Sequence, residues 1–418
     1  MAKKVVQALL CFFMVLFICQ PNYDSKVQAD YPGNVHKVRL IWPAVPDAVM
    51  YELVIRRQPD SAVPAASETV LSRTDIYTAG VELDVPALET PIDSLWWQVR
   101  ALNFDQLPIS EFSPSQRVAD GELNPASPLP TARLDQFPYA KLYPAYAWIP
   151  VLDAASYEVQ ILAANPDQTN KTAIIRSYQI DGALAFDYYD ERAYTEEGVY
   201  WWRVRARDPF NQPIGHWSPA SSFQVLKSDT IFALFGDSVA HGGGAISNPP
   251  SDPAYDLTSY AGIPIRNLGR SGDTVARMIE RFESDVLTFS PRILIIMGGI
   301  NDIRAGRPAA AVIAELAAIR ELCRENTIIP VFVALTPVNP AAIKRAFNED
   351  TSPQWRNEWL EVNRWIKQQP HHVDISPLFA GPDGVLPSEL AVDGLHPDTK
   401  GKAMMGKAVG SYLRRHFL

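Results

Sequence analysis

The sequence predicts a multidomain protein in which two all-β sandwiches precede an α/β domain, the latter three layers built around a parallel sheet. Three observations carry this. First, an internal repeat spans roughly residues 33–226. "WPAVPDAVMYELVI" (42–55) recurs as "WIPVLDAASYEVQI" (148–161), and "WWQVRALNFDQLPISEFSP" (96–114) recurs as "WWRVRARDPFNQPIGHWSP" (201–219). Second, apolar and polar residues alternate between these blocks, with Pro, Asp and Asn at the turns, the period-two pattern of strands with one buried face. Third, after about Lys227 the pattern switches to continuous apolar runs separated by helical stretches, as in a sheet covered on both faces.

The bulk numbers agree. A chain of 418 residues suits two or three domains. With 47% hydrophobic and 20% charged residues, ordered globular domains are expected rather than disorder. The formal charge of −9 argues against a nucleic-acid partner, since phosphate binding needs clustered cations. Thirty-five prolines fit strand-and-turn modules joined by stiff linkers.

Residues 1–29 read as an export signal. Lys3 and Lys4 precede the apolar run "VVQALLCFFMVLFIC", which is short for a membrane span, and "VQA" (27–29) offers a small-residue cleavage site. Cleavage after Ala29 and an extracytoplasmic, secreted or cell-surface destination are expected. Membrane contact is confined to an uncleaved anchor or lipidation at Cys19, although Ile18 is bulky for a lipidation site. Cys11 and Cys19 lie in this segment, so Cys323 is the one cysteine left after cleavage and no internal disulfide is expected. Cys323 sits in an amphipathic helical pattern as a core thiol, and no metal-ligand cluster appears.

The repeat defines two modules, 33–118 and 139–226, joined by the Pro-rich linker 119–138. In each, the early tryptophan (Trp42, Trp148) and the tyrosine of "YE" (Tyr51, Tyr157) are expected in the core between two sheets. The pattern resembles fibronectin type III modules. One tryptophan of each "WW" pair should face outward, because adjacent strand residues point to opposite sides. That permits sugar binding, but spacing suffices: the modules then act as beads holding a catalytic body away from a surface.

From 228 to 418 the expected strands are "IFALF" (231–235), "IPIRNL" (263–268), "ILIIMGG" (293–299), "IIPVFVAL" (328–335) and "HHVDIS" (371–376). Between them "DTVARMIERF" and "AAAVIAELAAIRELCREN" carry apolar residues at helical intervals. Active sites of such sheets lie beyond the carboxyl ends of the strands. Those ends carry Ser238 in "FGDSVA", Gly269 in "NLGRSG", Asn301 in "GGIND", and Asp393 with His396 in "DGLHP".

These four blocks, in this order, resemble the SGNH or GDSL hydrolase family, whose flavodoxin-like domain the resemblance implies for about 228–416. A serine hydroxyl needs a base to take its proton during attack. His396 can serve, provided Asp393, three residues earlier, holds its other ring nitrogen. By the resemblance, the oxyanion is held by the backbone N–H groups of Ser238 and Gly269 and by the Asn301 side chain. Each residue alone has a structural explanation: Ser238 as a helix cap, Asn301 and Asp302 as turn formers, Asp393–Gly394 as a turn pair. Together at strand ends they favour catalysis. The nucleophile elbow G-x-S-x-G of α/β-hydrolases does not match, because Ala240 stands at its last position.

The triple-glycine segment "HGGGAISNPPSDPAYD" (241–256) lacks a nucleotide-binding pattern and is expected to form one wall of the substrate site, with His241 as a candidate contact. Residues 336–359 are expected to form the opposite wall, with Arg345, Trp355 and Trp359 as candidates. The expectation is a serine esterase without cofactor or metal, cleaving short acyl esters, O-acetyl groups on cell-wall or plant polysaccharide first among them. The alternatives are a lysophospholipase or lipase acting on lipid esters, and a non-catalytic surface-binding protein.

Overall fold

The computed structural model describes residues 35–57, 68–169, 173–227 and 230–418. Residues 1–29, expected to be an export signal, lie outside the described residues. The first repeat forms β1 (Lys37–Ile41), β2 (Met50–Arg57), β3 (Glu68–Ile76), β4 (Gly80–Asp84), β5 (Leu95–Leu102), β6 (Gln116–Arg117) and β7 (Glu122–Leu123). They make two antiparallel sheets, ordered β4-β1-β7 and β3-β2-β5-β6. The second repeat forms β8 (Leu129–Pro130), β9 (Ala145–Ile149), β10 (Ser156–Leu162), β11 (Ile174–Asp181), β12 (Asp187–Tyr189), β13 (Gly198–Arg207), β14 (Pro213–Ile214) and β15 (Ser221–Val225). Its sheets run β12-β9-β8 and β11-β10-β13, with β14 and β15 both paired to β13.

Alternation sets which side chains go inside. In β5, Leu95, Trp97, Val99 and Ala101 are buried; in β13, Trp202, Val204 and Ala206 are. The other member of each tryptophan pair, Trp96 or Trp201, faces outward but is half-buried. Each core repeats one aromatic contact: Trp42 against Tyr51 at 5.4 Å between ring centroids, Trp148 against Tyr157 at 5.2 Å. Each tyrosine hydroxyl also accepts a backbone N–H six residues upstream, from Val45 or Val151, at 2.9 Å.

Residues 119–138, expected as a linker, instead extend both units. β7 pairs with β1, and β8 pairs with β9. The units are tied directly as well: Lys37 pairs with Asp153 at 3.1 Å, and Glu82 accepts the Leu152 N–H at 2.9 Å.

The last part contains β16 (Phe232–Gly236), α1 (Ser238–His241), β17 (Arg266–Asn267), α2 (Val275–Glu280), β18 (Ile293–Met297), α3 (Ile300–Arg304), α4 (Ala309–Glu325), β19 (Ile329–Val333), α5 (Pro340–Phe347), α6 (Trp355–Lys367), β20 (His372–Val373), α7 (Ser376–Phe379) and α8 (Thr399–Phe417). The five strands are all parallel, in the order β17-β16-β18-β19-β20. The order reverses at β16, whose neighbours are the next two strands in sequence, so a crevice opens at the carboxyl ends of β16 and β18. β16 and β18 are wholly buried, which explains their unbroken apolar runs. Cys323 is a free, buried thiol on α4, its pKa pushed up to about 12 by burial.

The β units are not beads standing off from a separate body. One continuous core runs from Trp148, Tyr157 and Trp202 of the second unit into Phe235, Leu268 and Phe282 of the α/β part. A smaller cluster joins Val49, Met50 and Leu102 of the first unit to Ala245. The spacing expectation fails because the surfaces that would face solvent in a bead are apolar or ion-paired and covered. Among the described residues, no helix is long and apolar enough to cross a membrane.

Candidate active site

The turn after β16 is built by three residues with separate tasks. Gly236 lies against β18, where a Cβ would meet the Met297 carbonyl oxygen at 1.9 Å. Asp237 caps α1, its side chain accepting the Val239 N–H at 2.9 Å. Ser238 is thereby placed at the first position of α1, its own N–H bonded to no described residue. Asp237 is buried, and burial pushes its carboxyl up to about 7.

Beyond α7, the turn 391–396 brings in the other two side chains. Asp393 is fully buried; its Oδ1 accepts the N–H groups of Leu395 (2.8 Å) and His396 (2.7 Å). Its Oδ2 lies 2.7 Å from His396 Nδ1, and His396 Nε2 lies 2.9 Å from Ser238 Oγ. A carboxylate only accepts, so Nδ1 carries the proton and Nε2 is left to accept from the serine hydroxyl. Residues far apart in the chain thus form one hydrogen-bonded row, Asp393 to His396 to Ser238. Chemically, such a row withdraws the hydroxyl proton as the oxygen attacks.

Asn301 stands at the second position of α3, where the carboxyl end of β18 points. Its Nδ2 donates to the Asp273 carbonyl at 2.9 Å, and its Oδ1 accepts from Arg304 Nε at 3.2 Å, which fixes the amide orientation. One amide proton remains available. Asp302 serves structure: its Oδ2 accepts the Val275 N–H at the start of α2.

The expected role of Gly269 is corrected by its surroundings. Its N–H is already donated to Asn267 Oδ1 at 2.9 Å, and a Cβ there would lie 2.3 Å from the His241 nitrogen. Gly269 is glycine because α1 packs on it, and it is closed to a ligand. Three residues on, Gly272 has the opposite character: φ is +80°, nothing lies within 4 Å of a Cβ position, and its N–H is bonded to no described residue. The segment Gly272–Asp273 is held against Asn301 by the Asp273 carbonyl. The expected strand 263–268 put Gly269 at its end; β17 stops at Asn267, and the loop first turns left-handed at Gly272.

The candidate substrate contacts are placed elsewhere. His241 is buried, Nε2 lying 2.6 Å from the Tyr143 carbonyl and Nδ1 2.9 Å from Ser271 Oγ. A carbonyl only accepts, so Nε2 donates and Ser271 donates to Nδ1. Burial pulls this imidazole down to about 3, with the Lys141 charge assisting, so it stays neutral. Arg345 reaches away to Asp105 of the first β unit at 2.9 Å. Trp355 and Trp359 are core residues, Trp359 donating its indole N–H to the Leu335 carbonyl at 2.8 Å. The triple-glycine segment is likewise covered rather than open: Ser247 and Asn248 both donate to the Ala48 carbonyl of the first unit. The expected opposite wall does contribute one residue not foreseen, Phe347, whose ring stands edge-on to His396 at 6.0 Å. Its place at the end of α5 gives no sequence signal.

Among the described residues, no group of three or more His, Cys, Asp or Glu side chains is arranged to hold a metal ion. Beneath the turn that carries Ser238, Asp237, Val239, Met297, Leu335 and Met405 line a void of about 10 Å³, room for one water.

Residues 234–404 match the GDSL-like Lipase/Acylhydrolase family, so a domain of that kind occupies the C-terminal part. No curated protein matches the chain. Among solved structures it is similar to a GDSL-like lipase from Bacteroides thetaiotaomicron (18% identity, 46% of this chain and 90% of that chain, TM-score 0.37). It is also similar to the lipase/acylhydrolase from Enterococcus faecalis (17% identity, 44% and 95%, TM-score 0.36). A third is a catalytic mutant of an acetylxylan esterase from Geobacillus stearothermophilus (19% identity, 45% and 95%, TM-score 0.33).

Proposed function

We propose that the chain is an exported serine esterase that cleaves short acyl esters, O-acetyl groups on a polysaccharide first among them, through an acyl-enzyme on Ser238. The observation that carries this is the row Asp393–His396–Ser238, with contacts of 2.7 and 2.9 Å, inside a domain matching an acylhydrolase family. Ser238 Oγ attacks the ester carbonyl as its proton passes to His396 Nε2. Asp393 stabilises the imidazolium that forms. The N–H groups of Ser238 and Gly272 and the free amide proton of Asn301 hold the oxyanion. Collapse expels the alcohol, which takes the proton from His396. Water then attacks the acyl-enzyme with the same base, releasing the acid and restoring the serine. No cofactor enters these steps.

The carbohydrate preference and export rest on the repeat modules and on the sequence of residues 1–29.

The test compares wild type and Ser238→Ala on p-nitrophenyl esters with acyl groups from acetyl to palmitoyl, alongside acetylated sugars. Wild type is expected to cleave acetate fastest, and Ser238→Ala to lose at least about 10³-fold in kcat. Equal rates for the two proteins would end the esterase reading. Rates climbing with chain length would move the substrate to lipid esters.

A further inference from the structure

The segment leading into the second β unit carries two side chains that enter the α/β domain beneath the nucleophile turn. Lys141 is fully buried, and its ammonium donates to Asp256 Oδ2 at 2.6 Å and to the carbonyl of His241, the last residue of α1. Asp256 is also fully buried; although burial works against it, Lys141 and the Thr258 N–H hold its carboxyl below the ordinary range, while burial lowers the Lys141 ammonium in turn. The same Asp256 oxygen accepts from Asn267 Nδ2 at 2.9 Å. Asn267 in turn donates to the Ala240 carbonyl at 2.8 Å and accepts from the Gly269 N–H. Lys141 and Asn267 thus both hold carbonyls of the short helix that begins with Ser238.

Tyr143, two residues on, reaches the other side. Its carbonyl accepts from His241 Nε2, and its hydroxyl donates to Asp285 Oδ2 at 2.7 Å. Asp285 holds Arg281, whose guanidinium binds Asp273 Oδ2, the Leu268 carbonyl (2.8 Å) and the Gly236 carbonyl (2.9 Å). Asp273 follows Gly272 directly and is the residue that Asn301 grips. Through His241, Ser271 of the same loop is tied in as well.

A helix as short as α1 has no stability of its own, so its placement depends on these outside contacts. A buried charged pair is a weak source of net stability, because desolvation offsets most of its attraction. Its retention here is better explained by what it orients. The repeat supports this: at the offset of the repeated tryptophans, Val35 and Lys37 stand opposite Lys141 and Tyr143, so the first unit has neither group.

Building on the esterase reading above, we propose that Lys141 and Tyr143 of the second β unit are positioning residues for the α/β site, fixing the nucleophile helix and the loop from Gly269 to Asp273 against each other. The catalytic geometry is then completed by a unit outside the family-matched residues 234–404.

The experiment uses the full chain and two substitutions, Lys141→Met and Tyr143→Phe. Active sites are counted with a serine-reactive fluorophosphonate, and kcat per titrated site and KM are measured on p-nitrophenyl acetate. Positioning predicts that kcat per titrated site falls about tenfold or more in each variant while KM changes little, since small displacements of reacting groups cost rate rather than binding. Fewer titratable sites with wild-type kcat at each would show a structural role alone and overturn the proposal. If Lys141→Met yields no folded protein, Tyr143→Phe decides by the same criterion. A wild type that neither hydrolyses the ester nor takes the label sinks the esterase reading instead, so the two failures are distinguishable.

Discussion

At the scale of single residues, the site depends on groups whose hydrogen-bonding capacity is almost fully assigned. Asn301 shows this best. Its Oδ1 and one amide proton are engaged by Arg304 and the Asp273 carbonyl, leaving one proton directed by the other two contacts. Asn301→Ala is expected to lower kcat about 10²–10³-fold with little change in KM, the signature of a donor that acts mainly on the transition state. Steady-state kinetics on p-nitrophenyl acetate check this; a loss confined to KM would assign Asn301 to ground-state binding. Ser238, Asn301, Asp393 and His396 were legible in the sequence because each follows a strong strand or turn signal. The glycine with a free N–H beside Asn301 was not, because "NLGRSG" offers two glycines and only the backbone distinguishes them: Gly269 packs on α1, while Gly272 turns left-handed into open space. His241, Trp355 and Trp359 misled for a related reason. A polar or aromatic side chain near a strand end looks the same in sequence whether it faces a ligand or a neighbouring carbonyl.

At the scale of elements, the five strands and the long helix α4 follow from periodicity, whereas α8, which the sequence reading did not single out, depends at its start on a distant residue. The Thr399 N–H that opens α8 is capped by Asp47 of the first β unit, at 2.9 Å, a partner no local signal announces. Beside it Asp398 is buried, with Oδ2 accepting the Val392 N–H and Oδ1 without a partner among the described residues. Burial, and then the neighbouring charges of Asp47 and Asp393, push this carboxyl up to about 8. A carboxyl raised on folding keeps its proton in the native state between about 4 and 8, where the unfolded chain has released it. Stability from this group is therefore present below about 4 and declines as pH rises towards 8. Asp398→Asn has no proton to lose, so its melting temperature relative to wild type is expected to rise between about pH 5 and pH 8.5. A difference independent of pH would show that Asp398 is ionised in the folded protein.

At the scale of the molecule, repeats in the sequence revealed two β units but not their docking. Contacts between domains have no period, and Lys141, Asp47 and Asp105 look like ordinary surface charges until their partners Asp256, Thr399 and Arg345 are brought to them. The continuous core and the buried Lys141–Asp256 pair have a thermodynamic consequence. Removing one partner of a buried ion pair costs about 3–5 kcal/mol, because the other charge is left uncompensated. The α/β domain therefore loses much of its stability if the second unit unfolds first, and the two are expected to melt together. Seven of the ten tryptophans lie in the β units and three in the α/β domain, so fluorescence follows chiefly the former, while hydrolysis of p-nitrophenyl acetate follows the latter. On heating, the fluorescence transition and the loss of activity should coincide, with a single calorimetric endotherm. Two endotherms, with activity surviving the tryptophan transition, would mean that the α/β domain holds its site without the β units.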